Sequence, residues 1–462
     1  MAKKIFLRVS LFFLFFLLRI GSVGAFEISG VVVSATNGKP VEFASVFFSN
    51  TSIGVQTNEK GNFTLNVKNP GIYQLVVSHM AFQTYSLDLQ ISADIKDLVI
   101  KITEKPHELK AVTITEDPSK RAMYYATFLK EFIGTSKNSE DCVIENPLSI
   151  NFLYKDENRS LYAFADTFVV IKNKALGYKI KYKLEGYVTT PDETVFYGYP
   201  LFENKKVKSK LKKKKLEEKR YIAYLGSPQH FFRSLYNDSL LKEHFVAYKL
   251  IEKPKPINPT RFYIGDTVKF ASQKDSLRKL GRRPLPKKQP EHKFYVEDTL
   301  RNADKIKALE MKGFKPFNLN EYPMEERMNA TILNNPNLVN NKKYSLVITK
   351  DTIPLFSFIS DTIGHLKVLR YTRPFQIKYT AMGEENSYIK QRYFGEQQQE
   401  FAKKLGDQSS FVIIKTGKLT FDDNGTYANV EDFFMGGYIG WRKVADMLPI
   451  DYEPMVSKGE KK

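Results

Sequence analysis

A single cysteine, Cys142, in a chain of 462 residues removes two chemistries at once. No disulfide can close within the chain, and no cysteine-based metal or redox centre can be assembled. Histidine is scarce too, with only His79, His107, His230, His244, His292 and His365. None stands in an H-x-x-E or H-E-x-x-H arrangement; in "HELKA" the position that needs a second histidine is Ala111. The spacing that brings two imidazoles and a carboxylate to zinc is therefore missing. The G-x-S-x-G turn that presents a serine nucleophile is missing as well. After Ala25 no apolar run approaches the ~20 residues that a membrane-spanning helix needs.

Acidic residues are outnumbered, 51 Asp and Glu against 71 Lys and Arg, which leaves a formal charge of +20. Such an excess favours anionic surfaces: phospholipid headgroups, lipopolysaccharide or acidic glycans. It is concentrated in "KKVKSKLKKKKLEEKR" (205–220) and "KLGRRPLPKKQPEHK" (279–293). Compartment follows from the first residues. "MAKKIFLRVSLFFLFFLLRIGSVGAFE" has a basic start, an apolar run and the small residues Val23, Gly24 and Ala25, the layout of a secretory signal cleaved after Ala25. Arg8 and Arg19 keep the run too short for an anchor. No cysteine follows that could carry a lipid, and in an exported protein no nucleic acid partner is expected. The apolar content, 42%, is ample for two or more cores in a chain of this length.

From Phe26 to Thr103 short alternating stretches are separated by turn residues. This predicts a β-sandwich of antiparallel strands. In "FTLNV" the apolar Phe63, Leu65 and Val67 share one face and Thr64 and Asn66 the other. The preceding "TNEKGN" predicts a hairpin turn in which Gly61 supplies a positive φ.

Those residues carry a resemblance. "ISGVVVSATNGKPVEFASVFF", "GVQTNEKGNFTLNV" and "YQLVVSHMAF" resemble the carboxypeptidase regulatory-like domain, a transthyretin-like sandwich common in envelope proteins of Gram-negative bacteria. Gly30, Gly38, Pro40, Gly61, Phe63, Tyr73 and Leu75 match the family pattern, and Glu59 does so loosely. Ala81 and Phe82 replace its usual Gly-Tyr. The resemblance implies an accessory module, since a fold of this kind hosts many functions. "EKPHELKAVTITEDPSK" resembles the segment that follows this domain in TonB-dependent receptors, but what comes after is too short for a receptor barrel, so transport of that kind is not expected.

Beyond residue 120 the pattern is β-rich with a few helices. "SKRAMYYATFLKEFIGTS" spaces Met123, Ala126, Leu129 and Phe132 or Ile133 for one helical face. Ser227 caps and Pro228 opens another helix, Asn424-Gly425 marks a hairpin, and "YIGWRKVADMLP" reads as a terminal helix stopped by Pro449. The blocks "FIGTSKNSEDCVIENP", "GSPQHFFRSL" and "GYIGWRKVADMLPIDYEP" resemble exported proteins that pair the regulatory-like domain with this same uncharacterised region.

The expected architecture is therefore mainly β: a signal peptide over 1–25, an N-terminal transthyretin-like antiparallel β-sandwich over 26–103, a linker over 104–120, a larger β-rich α+β domain over 121–454 and a polar tail. No catalytic residue, metal ligand or cofactor is assigned. Ser227 and His230 are spaced like a nucleophile and base, yet a helix start uses the serine better as a cap. Asp422, Asp423, Asn424 and Gly425 lack the later ligands of a calcium loop. Gly436, Gly437 and Gly440 do not follow a nucleotide-loop fingerprint and suit a bend. Glu325-Glu326 and Glu384-Glu385 are expected to be solvated. One candidate contact remains. Lys212, Lys213, Lys214 and Lys215 can meet an anionic surface, each contributing about 1 kcal/mol, unless they are only a solvated helix face balanced by Glu217 and Glu218. The expected role is that of an exported, non-enzymatic module, periplasmic or outer-membrane associated, binding an envelope protein or glycan; the rival is an envelope hydrolase whose site is assembled in the second domain.

Overall fold

The computed structural model describes residues 25–105, 118–191, 194–254, 261–263, 295–297, 344–393, 395–428 and 433–454. The signal segment, most of the linker expected over 104–120, His107, His292, the basic stretch 279–293 and Glu325-Glu326 lie outside them. The chain forms two compact units, Met1–Tyr248 with Thr352–Lys462, and Lys249–Asp351.

The first seven strands are β1 (Phe26–Ser34), β2 (Ser45–Phe48), β3 (Gly54–Gln56), β4 (Asn62–Val67), β5 (Gly71–Ser78), β6 (Tyr85–Ile91) and β7 (Ile95–Ile102). They form two sheets, β4-β1-β7 and β3-β2-β5-β6. Ile28, Val32, Leu65 and Ile100 from one sheet pack with Phe48 and Leu75 from the other in a single buried cluster. This is the expected sandwich, with one difference of strand direction: β7 runs parallel to β1. The chain reaches β7 from β6 in the opposite sheet, so no hairpin constrains its direction.

"TNEKGN" also differs from expectation. β3 and β4 lie in different sheets, so the segment carries the chain across the sandwich and is not a hairpin turn. Asn58 organises it by accepting the N–H of Lys60 at 3.0 Å and of Asn62 at 2.9 Å. Gly61 sits at φ +72, and a Cβ there would lie 2.5 Å from the Val32 carbonyl oxygen. Its own carbonyl accepts the Val32 N–H at 2.9 Å. Only glycine permits both that backbone angle and that approach.

The following strands are β8 (Cys142–Ile144), β9 (Asn151–Lys155), β10 (Ser160–Phe164), β11 (Val169–Asn173), β12 (Tyr178–Thr189) and β13 (Thr194–Asn204). They form a sheet of order β8-β11-β12-β10-β9, with β13 along the other edge of β12. Helix α1 (Pro118–Phe128) covers it and runs into a wide π turn, Leu129–Ile133. The buried face is Tyr124, Phe128, Phe132 and Ile133, whereas Met123 and Ala126 are exposed. The predicted face was out of phase because the aromatic rings win the interior: Phe128 stacks near Phe132 at 4.8 Å and Tyr187 at 4.8 Å.

Helices α2 (Lys210–Tyr224) and α3 (Pro228–Tyr236) lead to β14 (Phe245–Pro254). In the smaller unit the short strands β15 (Arg261–Tyr263) and β16 (Tyr295–Glu297) pair antiparallel. The chain then forms β17 (Tyr344–Thr352), β18 (Ile359–Ile363), β19 (Leu366–Arg370), β20 (Phe375–Tyr379), α4 (Asn386–Arg392), α5 (Glu396–Leu405), β21 (Gln408–Ile414), β22 (Lys418–Asp422) and β23 (Phe433–Gly437). Within the larger unit these give the strand order β20-β21-β23 and the sheet β18-β19-β22, and β17 neighbours β14. Phe231, Phe232, Phe245, Phe375, Val412 and Phe421 are central to their core. The terminal helix is shorter than predicted. α6 covers only Tyr438–Trp441, Lys443 is extended, and a 3-10 turn follows at Val444–Asp446. Breaking the helix buries Val444 and Ala445 in the α1 core and lets Ala445 accept from the Asn173 amide at 2.9 Å.

The sandwich is fastened to the β-rich body within the larger unit. Asn50 N–H donates to Pro200 at 2.7 Å and Phe202 N–H donates to Thr51 at 2.9 Å, a short parallel bridge to β13. Ile450 N–H reaches Asn50 at 2.7 Å, and Asp451 accepts the Ser52 N–H at 2.8 Å. On another side, Asp422 Oδ2 accepts the Ile72 N–H at 2.8 Å while the Asn424 amide donates to the Pro70 carbonyl at 2.8 Å.

Candidate functional site

α2 starts at a Ser209 cap, whose hydroxyl accepts the Lys212 N–H at 3.4 Å. Every residue from Lys210 to Lys215 is exposed, which spans more than a full turn. The first half of the helix therefore overhangs the body. The second half is anchored through Leu216, Arg220, Ala223 and Tyr224. Arg220 lies 4.0 Å from the centre of the Tyr178 ring, donates to Leu176 O at 2.8 Å and pairs with Glu217 at 2.9 Å. Glu217 is thus spent on the anchor and does not balance the lysines.

The structure brings Lys212, Lys213, Lys214 and Lys215 together on this overhang. Lys214 has a loose pair with Glu218 at 3.9 Å, and Lys212, Lys213 and Lys215 have no ion pair among the described residues. No acidic residue stands in the first turn of α2, so the cations face the positive end of the helix dipole. That arrangement works against the helix by itself, and an anion placed there relieves it. Sequence reading missed three apolar residues on the same helix. Leu211 is 65% exposed, Ile222 55% and Tyr221 39%. The interval of eleven from Leu211 to Ile222 is three helical turns, a signal hidden by the lysines between them.

Gly38, Pro40, Gly61 and Phe63 belong to the sandwich and lie apart from the lysines in sequence and element. Gly38 takes φ +71 in the turn after β1, Pro40 bridges Val33, and Phe63 is buried in the sandwich core. At the replaced Gly-Tyr position, Phe82 N–H donates to His79 O at 3.2 Å and its ring lies 5.3 Å from the His79 ring.

Ser227 and His230 are committed to structure. The Ser227 hydroxyl accepts the His230 N–H at 3.1 Å, capping α3. His230 is 2% exposed among Tyr224, Phe245 and Tyr379. Its Nδ1 accepts the Gly226 N–H at 3.1 Å, which leaves the proton on Nε2, 3.3 Å from Glu243. Burial holds the imidazole below its usual range, with Glu243 opposing. Among the described residues no three His, Cys, Asp or Glu side chains are placed to hold a metal ion.

Two acidic expectations need correction. Glu384 and Glu385 are half-buried and engaged rather than freely solvated: Glu384 accepts the Ser409 N–H at 3.1 Å and Glu385 the Lys137 N–H at 2.9 Å. Burial pushes Glu384 up to about 8; the Ser409 bond opposes this and Asp407, itself paired with Lys378 at 3.1 Å, adds to it. Asp422 lies at the Asn424-Gly425 turn but is fully buried, and its second role is the grip on β5. Burial raises it to about 6, against the Ile72 and Thr426 bonds. Gly436 and Gly437 serve packing and the entry to α6, since a Cβ on Gly436 would strike the Phe411 ring and Gly437 takes φ +75. Gly440 lies within α6.

Sheet order and core define a mainly β protein with an N-terminal β-sandwich module. That module is similar to the CarboxypepD_reg-like domain, whose family model matches residues 28–114. No curated protein matches the chain. Among solved structures, a type II cohesin–X-dockerin complex from Acetivibrio cellulolyticus is 19% identical, with 17% of this chain and 58% of that chain covered, at a TM-score of 0.15. A DUF3823 family protein from Bacteroides ovatus is 10% identical over 39% of this chain and 81% of its own, at a TM-score of 0.15. Another from Bacteroides uniformis is 12% identical over 40% and 85%, at 0.14. The chain spans little more than half the length of the first of these, and likeness at these TM-scores carries no functional argument.

Proposed function

We propose that this chain is an exported protein of the bacterial cell envelope, periplasmic or outer-membrane associated, that acts by binding rather than by catalysis. Its sandwich and β-rich body serve as one scaffold for an envelope protein or glycan partner, and the lysines of α2 contact anionic groups on that surface. One observation carries the reading: Lys212, Lys213, Lys214 and Lys215 project together from an overhanging helix with no carboxylate in its first turn. At about 1 kcal/mol per basic residue the four supply about 4 kcal/mol at low salt, a weak millimolar-range contribution that adds to the other contacts. The hydrolase alternative loses its best dyad, because the Ser227 hydroxyl and both His230 ring nitrogens already have partners.

Retention on sulfated dextran tests the anionic contact. Wild-type protein is expected to be held at low salt and released as salt rises. A variant with all four lysines changed to Gln is expected to elute early. Identical elution of the two proteins refutes the contact. A metal- or serine-dependent hydrolytic activity, recovered from pure protein and abolished by one substitution, refutes the non-catalytic reading.

A further inference from the structure

The outward face of α2 is not uniformly charged. At 100° per residue, Leu211, Lys215, Glu218 and Ile222 fall on one stripe, opposite the anchored Leu216, Arg220 and Ala223. Lys214 and Tyr221 border the stripe on one side; Lys212 and Lys219 border it on the other. Glu218 is the one carboxylate on the stripe, and Lys214 pairs with it at 3.9 Å. The two apolar side chains are separated by about 16 Å along the axis. Both point where the body offers nothing to cover them, with exposures of 65% and 55%.

A soluble polyanion engages the lysines and gains nothing from Leu211 or Ile222. A lipid surface engages both. Lysine stems lie along apolar surface while their ammonium groups stay at headgroup level, so apolar residues flanked by lysines suit the boundary between acyl chains and anionic headgroups. Tyr221, apolar in its ring and polar at its tip, suits the same boundary. Charge complementarity selects an anionic bilayer over a zwitterionic one.

We infer that α2 is a bilayer-docking helix: it lies on an anionic phospholipid surface with Leu211 and Ile222 inserted and the flanking lysines at the headgroups. The inference rests on the anionic contact proposed above and narrows it to lipid. No helix among the described residues is long and apolar enough to span, so this docking is peripheral.

The test uses the full chain and co-sedimentation with vesicles of phosphatidylglycerol and phosphatidylcholine, with phosphatidylcholine alone as the second arm. Wild-type protein is expected to bind only the anionic vesicles. Leu211→Ser/Ile222→Ser is expected to lose roughly tenfold in vesicle affinity, about the effect of withdrawing two side chains from partial burial. The same variant should keep its retention on sulfated dextran, because its lysines are intact. Both substitutions are at exposed positions, and an unchanged circular dichroism spectrum verifies the fold. Equal vesicle binding by this variant and wild type overturns the inference and leaves the anionic contact standing. Wild-type protein that binds neither the vesicles nor the dextran overturns both.

Discussion

Asp422 offers the sharpest test of how the sandwich is held. Its carboxylate is fully buried and accepts the Ile72 N–H of β5 and the Thr426 N–H of its own turn, each at 2.8 Å. Asp422→Ala leaves two amides without acceptors, at about 1–3 kcal/mol each. It also removes a buried charge. The carboxyl stands at about 6 against an ordinary 3.8, which corresponds to ~3 kcal/mol of penalty once it is ionised. The sign follows from linkage. A carboxyl raised in the folded state contributes stability that is complete below the unfolded pKa and is lost as pH rises through the folded value. The stability gap between wild type and variant should therefore be small, about −1 to 3 kcal/mol, near pH 7.5, and more favourable to wild type by roughly 1.4 kcal/mol near pH 5. Urea denaturation at the two pH values measures it. A gap that is flat or shrinks on acidification would mean that Asp422 is not held as a desolvated acid at this junction. A second readout is local: the connection between β4 and β5, where a Cβ added at Gly71 would lie 2.6 Å from Asp422 Oδ2, should become more open to protease in the variant.

Two further outcomes follow from buried groups. Desolvation first, and then Asp446 and Asp141, raise the half-buried Cys142 thiol from 9.0 to about 12, so native protein should alkylate with iodoacetamide about 100- to 1000-fold more slowly than unfolded protein near pH 8; equal rates refute the raised thiol. Glu384 is raised from 4.5 to about 8, so its neutral carboxyl contributes stability that is complete below about pH 4.5 and is lost as pH rises to about 8, and Glu384→Gln should match wild type in thermal stability only near pH 4.5. Between about pH 5 and pH 8 the wild type should fall progressively below the variant, because the unfolded carboxyl is ionised there while the folded one is held neutral, and parallel pH profiles over that range contradict this.

Much of the architecture was legible because local chemistry and tertiary context agree. Phe63, Leu65 and Val67 alternate in sequence and all three are buried, since a pleated strand against a core admits no other register. Ser227 and Pro228 start α3 because capping is satisfied within four residues. The lysine run likewise had to form a solvated helix surface, as desolvating so many ammonium groups has no compensation. Other features were decided only in three dimensions. Period alone could not distinguish Met123 from Tyr124 as the inward residue of α1, because the choice depends on rings supplied by β9 and β12. Glu384 reads as a surface acid beside Glu385, and only the return of β21 to its side presents Ser409 N–H and removes water. Asp422 and Ile72 are separated by 350 positions, so no local pattern could announce their bond. Composition and short-range pattern determined a basic chain with a β-sandwich at its start; packing between distant segments decided that the sandwich is clamped to the body and that Leu211 and Ile222 face outward with the lysines, because burial is a property of what arrives from elsewhere in the chain.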